Sequence, residues 1–419
     1  MNDAQISELA GWLTQAGLTG EPETAILTGF CERCLAAGLP IARAHLLIDT
    51  LHPVYEGRLV RWGYGAGEAP SLDYGRTGSV ATLGGTRADT AAEQAEQEET
   101  GMRWQRSPFY HMLQTGAALL RRRLSEASDE EFSLLPQLRA AGMTDYVAII
   151  NRFAADGTLG DMDCVYSSWG TREPQGFSDQ HIAALERIVP FLALAIKSVA
   201  LTRVAANLMH TYLGRDAGQR VLSGRIMRGV AERIEAVIWF SDLRGFTRIT
   251  DTAPEQAIPL LNDYADVIVS AIHDHGGDVL KLIGDGTLAI FTHDERESAC
   301  QAALSATIAA QRGVKALNQE RAQEGLPVTE MYLGLHIGEV FYGNVGSRER
   351  LDFTVIGPAV NETSRIAAMC RSVEQPVLVS DAFAKIGDNA SRLVSVGRYA
   401  LRGVERPQEL FTLDVGAGG

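Results

Sequence analysis

One long helical pattern divides the chain. It begins where Ser178 or Asp179 can cap a helix and runs through "FSDQHIAALERIVPFLALAIK" to about Leu213. Apolar residues recur in it every seven residues in two series: Ile182, Val189 and Ile196, and Leu185, Leu192, Val199 and Ala206. This spacing is typical of the seam of a parallel coiled-coil dimer. The alternative is one amphipathic helix packed on its own domain, which Pro190 favours locally because a proline inside a helix bends its axis.

The size and composition limit what the chain can be. With 419 residues it is too long for one ordinary core, which predicts two or three domains. A formal net charge of −14 argues against a nucleic-acid partner or an anionic membrane bound through bulk electrostatics. The N-terminus lacks the features of a signal peptide, and the apolar run at 188–196 is too short to span a bilayer. Five cysteines in so long a chain fit a reducing cytoplasm, so we expect a cytoplasmic protein without a membrane span.

The region at about 22–197 mixes helical and strand patterns. "AILTGFCERCLAAGL" predicts a helix, "ARAHLLIDTL", "RLVRWGYG", "YVAIINRF" and "DCVYSSWG" predict strands, and the acidic segment 88–101 predicts a mobile loop. Cys31 and Cys34 form a single CxxC in a helical pattern, which favours two buried thiols over a zinc or redox site. The side chains that could line a pocket, or be ordinary core and surface residues, are Trp62, Tyr64, Trp104, Phe109, Tyr110, His111 and Trp169.

From Glu235 onward the pattern changes to strands alternating with amphipathic helices. "AVIWFS" predicts a strand, and a helix that Gly276 and Gly277 end follows it. "DVLKLIGDGTLAIFT" predicts a hairpin with its turn at 284–286. A helix at about 297–317, separate strands in "MYLGLHIG" and "EVFYGNVG", and a helix at about 359–371 come next. The alternation predicts an α+β sheet with helices on one face.

Two acids stand at strand ends in this region. Asp242 follows the apolar run of "VIWFSDLRGFT", and Asp285 lies between two glycines at the hairpin tip. If the two strands are neighbours, the carboxylates converge and form a hard-oxygen site that suits Mg²⁺ or Mn²⁺. The alternatives are an aspartate that caps a helix and an ordinary Asp-Gly turn.

Three motifs together resemble one family. "FSDLRGFT", "KLIGDGTLAIF" and "TVIGPAVNETSR", in this order, are similar to the motifs of class III nucleotide cyclases, over about residues 233–415. The resemblance implies a ferredoxin-like α+β catalytic domain that acts as a homodimer with its sites at the interface. It also implies that Asp242 and Asp285 bind two Mg²⁺ or Mn²⁺ ions. The backbone of 243–247, with Phe246 and Thr247, would bind the triphosphate.

The resemblance assigns further residues. Asn361 and Arg365, one helical turn apart, correspond to the amide that orients the ribose and the guanidinium that stabilises the α-phosphate. Without the flanking motif this pair would indicate a solvated helix face. Arg350 and Arg402 stand where the family often keeps cations near the outer phosphates. The implied reaction is in-line attack of the ribose 3′-hydroxyl on the α-phosphorus, with loss of pyrophosphate.

Two positions bear on the nucleobase. Lys281 and Thr354 match the family's base-reading positions, and a lysine can donate to N1 of adenine while a threonine hydroxyl accepts from its 6-amino group. Guanine presents the opposite groups, so the sequence favours ATP, with a guanylate cyclase as one alternative. A cyclase fold without activity, which would only bind nucleotide, is another. Lys281 could also be an exposed strand residue. The threonine resembles the branch in which bicarbonate often stimulates activity.

The sequence thus predicts three segments. Residues 1–197 resemble a GAF-type sensor with a helical lead-in at 1–21, and the sensor would bind an unidentified small ligand. Residues 198–232 would form a coiled coil and a transducing element, or alternatively a flexible linker. Residues 233–419 would form the catalytic domain.

Overall fold

The structure, a computed structural model, describes residues 1–65, 67–75, 104–153, 160, 162–402, 404 and 407–414. The loop predicted at 88–101 lies outside these residues. The described residues form two compact units, an N-terminal unit that ends at Leu208 and a C-terminal unit that begins at Met209.

The N-terminal unit is built on an antiparallel sheet. Six described strands follow one another across it in the order β3-β2-β1-β6-β5-β4. The elements are α1 (Asp3–Thr19), α2 (Glu23–Ala36), β1 (Arg43–Asp49), β2 (Tyr55–Trp62), β3 (Ser71–Gly75), α3 (Pro108–Thr115), β4 (Leu119–Arg123), α4 (Leu135–Ala140), β5 (Asp145–Arg152), β6 (Cys164–Thr171) and α5 (Asp179–Leu213). The helix and the four strands predicted from the sequence are confirmed, with ends that differ by a few residues.

Both faces of this sheet carry an apolar core. One core joins the sheet to α1, α2 and α5, and its largest member, Trp169, packs with its ring centroid 5.2 Å from that of Phe30. The other core joins the sheet to α3 and α4 and contains Phe109. Trp169 and Phe109 are therefore core residues rather than exposed pocket walls. Cys31 and Cys34 are also buried in the first core, and burial raises the pKa of both thiols, which makes them poor metal ligands and nucleophiles.

Helix α5 is continuous over 35 residues and ends at the residue that the sequence predicts. Leu185, Val189, Leu192 and Ile196, which belong to the two seven-residue series, are buried in the core of the N-terminal unit. This part of the helix therefore packs on its own domain. Of the described helices, α5 alone is long and apolar enough, by length and composition, to cross a membrane, and the same composition is typical of a core helix.

The C-terminal unit contains a second sheet. Its described strands run in the order β13-β14-β12-β10-β7-β9-β8, with β11 paired to β10, and only β12 is parallel to β10. The elements are α6 (Arg215–Leu222), β7 (Ala231–Leu243), α7 (Phe246–Thr252), α8 (Ala257–Asp274), β8 (Asp278–Ile283), β9 (Gly286–Phe291), α9 (Arg296–Gln323), β10 (Met331–Gly346), β11 (Leu351–Ile356), α10 (Pro358–Val373), β12 (Val377–Ser380), α11 (Asp381–Ala384), β13 (Leu393–Tyr399) and β14 (Gln408–Leu413), with short 3₁₀ turns at Pro254–Gln256 and Gly387–Arg392.

Two predictions for this sheet are wrong. The segments predicted as two strands form the single strand β10, because both halves pair with β7 from Met331 to Gly343 and no turn separates them. Helices also cover both faces. Helices α8 and α9 pack on the face that contains Trp239, whereas α10 packs on the other face, where Gly334 gives it room. A Cβ atom on Gly334 would stand 2.6 Å from the backbone nitrogen of Ala367 on α10.

Candidate active site

The register of the sheet brings the two predicted acids together. Strand β7 pairs with β9 so that Ser241 lies opposite Thr287, which places Asp242 beside the β8–β9 turn that contains Asp285. The turn needs glycines on both sides: Gly284 has a φ of 64°, and a Cβ on Gly286 would stand 2.9 Å from the carbonyl oxygen of Ser241. The convergence predicted from the two strand ends is therefore present.

The two carboxylates repel each other. Burial, followed by the hydrogen bond and the charge of Asp285, raises the pKa of Asp242 to about 6, while a hydrogen bond donated by the Leu243 amide at 3.0 Å acts in the opposite direction. Neither acid forms an ion pair within the described residues. Two carboxylates that share a site without a cation are the arrangement that a divalent ion would neutralise.

The acids open into a cavity of about 550 Å³. The turn at Gly245, whose φ is 72°, directs the chain from β7 into α7, and Phe246 and Thr247 on that helix line the same cavity. Its remaining walls come from Phe240, Leu243, Arg244, Arg248, Asp251, Tyr332, Ser364, Ala367, Ala368 and Arg371. The cavity thus combines three acidic side chains, a glycine turn and several guanidinium groups, a chemistry that suits a phosphate ester with a bound metal.

A family model described as the adenylate and guanylate cyclase catalytic domain matches residues 230–414. This region is a class III cyclase domain. Adenylate cyclase of Anabaena cylindrica is 35% identical over 159 residues, which are 37% of this chain and 31% of that protein. Adenylate cyclase 1 of Rhizobium meliloti is 32% identical over 166 residues, or 38% and 24% of the two chains. The chain therefore spans less than a third of the length of these relatives.

Among solved structures, the adenylyl cyclase CyaB from P. aeruginosa is 26% identical, with a TM-score of 0.41, over 44% of this chain and 96% of that one. The guanylyl cyclase Cya2 is 28% identical, with a TM-score of 0.39, over 45% and 97%.

The other predicted residues of the cyclase domain do not line the cavity of the acids. Lys281 on β8 forms an ion pair with Asp352, with 3.3 Å between Nζ and Oδ2. Thr354 on β11 is buried, and its hydroxyl has no hydrogen-bond partner among the described residues. Asn361 is exposed and Arg365 is half-buried, one turn apart on α10. A single copy of the cyclase domain therefore carries two separate groups of candidate residues. One group lines the cavity of the acids, and the other lies outside it.

Arg350 and Arg402 also stand apart from the acids. Arg350 is exposed in the β10–β11 turn, where its backbone amide donates to the Ser347 hydroxyl at 3.0 Å. Arg402 is exposed in the segment between β13 and β14. Neither lines the cavity.

The cavity of the cyclase domain is also lined by side chains that the sequence did not indicate. Arg244 lies inside the first motif and Arg248 directly follows it, which is a signal that could have identified their side chains as cavity residues. Arg244 is paired with Glu330, with 2.5 Å between Nη1 and Oε2. Tyr332 and Arg371 come from distant parts of the chain, and no local pattern marks them.

Proposed function

We propose that this chain is an adenylate cyclase that converts ATP to 3′,5′-cyclic AMP and pyrophosphate as a homodimer. The main support for this proposal is that the candidate residues of one chain lie in two separate groups. Asp242 and Asp285 share one cavity, whereas Lys281, Thr354, Asn361 and Arg365 lie outside it on the same chain. In a two-fold dimer, the acids of one protomer would face the second group of its partner, which completes two equivalent sites.

An exposed apolar surface supports the dimer. Leu282, Ile283, Phe341 and Ile356 are each about half exposed, and they lie on β8, β10 and β11, the strands that carry or adjoin Lys281 and Thr354. Exposed apolar side chains grouped on neighbouring strands are typical of surfaces that another protein covers. Burial of this surface between two copies would bring the two groups of residues to one cleft.

The acids fit a pair of Mg²⁺ or Mn²⁺ ions. Burial and the adjacent Asp285 raise the pKa of Asp242, and bound cations would remove the repulsion between the two carboxylates. No cluster of three or more His, Cys, Asp or Glu side chains occurs within the described residues, so the remaining ligands would be substrate oxygens, backbone carbonyls and water, as is usual for magnesium at phosphates. The chemistry supplied by these ions is activation of the ribose 3′-hydroxyl and neutralisation of the triphosphate.

The residues of the chain would then have distinct tasks. Phe246 and Thr247 would hold the triphosphate in the cavity of the acids, and Asn361 from the partner would orient the ribose. Arg365 would stabilise the charge that develops on the α-phosphate in the transition state. Arg350 and Arg402 are assigned to the outer phosphates on sequence position alone.

ATP is the proposed substrate because of Lys281 and Thr354. The Lys281 ammonium would donate to N1 of adenine, and the buried hydroxyl of Thr354, which lacks a partner among the described residues, would accept from the 6-amino group. Guanine would present a donor to the ammonium and leave it without an acceptor. A guanylate cyclase, or an inactive domain that binds nucleotide, is the alternative that an activity assay decides.

We further propose that the N-terminal unit is a GAF-like sensor in a cytoplasmic enzyme. A sheet with a helical layer on each face suits a domain that holds a small ligand, and α5 leads directly from this unit towards α6 and β7. Because the seven-residue series is buried up to Ile196, a seam between two protomers would be confined to residues after Val199. The five cysteines are free and buried, as in a reducing compartment.

The first test is product identification. Purified protein is incubated with ATP or GTP in the presence of Mn²⁺, and the products are identified by mass spectrometry. We expect cyclic AMP and pyrophosphate from ATP, with much slower turnover of GTP. Cyclic GMP as the main product would contradict the assigned substrate, and no cyclic nucleotide from either would favour the inactive domain.

The second test addresses the shared sites. Asp285→Ala and Arg365→Ala chains, each inactive alone, are mixed under conditions in which subunit exchange is verified with two affinity tags. Each heterodimer then has one intact site, so random mixing should restore about a quarter of the wild-type activity. The matched control mixes Asp285→Ala with Asp242→Ala, which damages both sites and should restore nothing. Equal recovery in the two mixtures would contradict sites shared between protomers.

A further inference from the structure

An ion pair joins two strands that are not neighbours in the sheet. Lys281 on β8 and Asp352 on β11 lie 3.3 Å apart, although β9, β7 and β10 separate their strands in the order of the sheet. Leu280 and Phe353, the residues next to them, are buried in one apolar cluster. The sheet therefore curls so far that its β8 edge meets β11, and this packing fixes the two charged side chains opposite each other.

The exposure of the pair indicates that stability is not its main role. A third of the Lys281 side chain and about half of the Asp352 side chain are exposed, and ion pairs this open to solvent contribute little to folding. Removal of either charge should therefore leave the fold intact.

A buried hydroxyl lies on the same face of β11. Asp352 and Thr354 are two residues apart on that strand and so point to the same side. Thr354 is only 6% exposed, and its hydroxyl has no partner among the described residues. Buried polar groups are nearly always hydrogen-bonded, so this hydroxyl indicates a ligand that supplies the missing partner.

We propose that Asp352 is a positioning residue that holds Lys281 for adenine and thereby sets the preference for ATP over GTP. This inference rests on the proposed function of Lys281 and Thr354. A lysine ammonium has three donors on a flexible stem. One donor to Asp352 fixes its position near Thr354 and leaves two for the base. The same contact neutralises the Asp352 carboxylate, which would otherwise accept from the N1–H and 2-amino donors of guanine.

The experiment compares Asp352→Asn with the conservative variant Asp352→Glu in the full-length chain. Asparagine keeps the shape of the side chain and removes the charge that holds Lys281. We expect the KM for ATP to rise about tenfold in Asp352→Asn while kcat stays within about twofold, because the lost contact serves binding of the base. The preference for ATP over GTP should fall, and Asp352→Glu should restore most of it.

Two controls separate positioning from a general effect. Glu339→Gln breaks another exposed ion pair of the same sheet, that with Arg233, and should leave the kinetics unchanged. In a Lys281→Met background, Asp352→Asn should no longer lower the affinity for ATP, because there is no ammonium left to position. Thermal unfolding of each variant verifies the fold.

The outcomes distinguish the inference from the proposed function. Equilibrium binding of α,β-methylene analogues of ATP and GTP is measured beside turnover. A wild-type chain that makes no cyclic AMP would overturn the proposed function, and the binding data would still decide the role of Asp352. Unchanged ATP affinity in Asp352→Asn, or an equal loss with and without Lys281, would overturn the inference.

Discussion

Two aspartates, one in each unit, have opposite surroundings. In the N-terminal unit, Asp145 is fully buried, forms an ion pair with Arg121 at 2.7 Å, and accepts hydrogen bonds from the amides of Tyr146 and Phe177, each at 3.0 Å. In the C-terminal unit, Asp242 accepts from one amide and faces a second acid. A carboxylate whose partners are all supplied by the protein stabilises the fold. One that the fold leaves beside a like charge is available to a ligand.

The largest effect that this comparison predicts is on catalysis. Asp242→Ala and Asp285→Ala should each lower cyclase activity about a thousandfold or more, because each removes a proposed ligand of the catalytic metal ions. The melting temperature should stay the same or rise, since the substitution relieves repulsion. Steady-state assays at saturating Mn²⁺ and thermal unfolding test both parts. Substantial turnover in either variant would refute the metal assignment.

Substitution by alanine at Asp145, the carboxylate whose partners the protein supplies, should lower the stability of the fold. Asp145→Ala leaves the Arg121 guanidinium without its buried partner, and loss of one member of a buried pair costs about 3 kcal/mol. Denaturant unfolding of the full chain should show a destabilised N-terminal transition, with Asp242→Ala as the matched variant that shows none. If both variants unfold alike, the contrast between the two carboxylates is wrong.

A smaller effect is expected from the helix that links the units. One or two residues inserted near Ala206 rotate the downstream part of the helix by about 100° per residue, whereas seven restore the heptad phase. If residues after Val199 form a rigid seam, the short insertions should change basal activity about tenfold and the long one much less, because misplacement of about 1 Å is enough to slow a reaction. Equal activity in all three variants would indicate a flexible tether.

The smallest effect is a difference in pH dependence between the units. Burial, with the charges of Arg43 and Arg61, lowers the pKa of His45 to about 3, so its contribution to stability is lost as the pH falls below about 6.5. Between pH 6.5 and 5 this loss reaches about 2 kcal/mol. The raised pKa of Asp242 has the opposite effect on stability. The contribution of this side chain is fully present below about pH 4 and is lost as the pH rises through 6. Because this side chain is half exposed, the expected loss of stability is only about 1 kcal/mol.

Hydrogen exchange of peptides from β1 and from β7, corrected for intrinsic rates, measures the two responses in one sample. From pH 6.5 to 5, protection should fall in β1 and rise in β7. Asp242→Asn should abolish only the response of β7, and Mn²⁺ should reduce it. A common sign in both strands would contradict the assigned titrations.

The sequence by itself determined the type and place of many elements, and it placed Asp242 and Asp285 at the ends of two of them. Each acid sits in a short motif, a strand end before a glycine turn and a hairpin tip, whereas the pairing of β7 with β9 in the folded chain made the two positions neighbours. Such signals extend over a few residues, which is why elements such as α2, β1, β5 and β6 could be predicted to within a few residues of their ends.

The tertiary structure alone decided the rest. The pairing of Lys281 with Asp352 joins residues 71 positions apart and depends on how far the sheet curls, which no local pattern encodes. The wall that Tyr332 and Arg371 form depends on how α10 packs across the sheet. The distance between the two acids and the group of residues around Thr354 also depends on packing between distant parts of the chain. Because long-range packing fixes these contacts, the separation of the two groups became visible only in the folded chain.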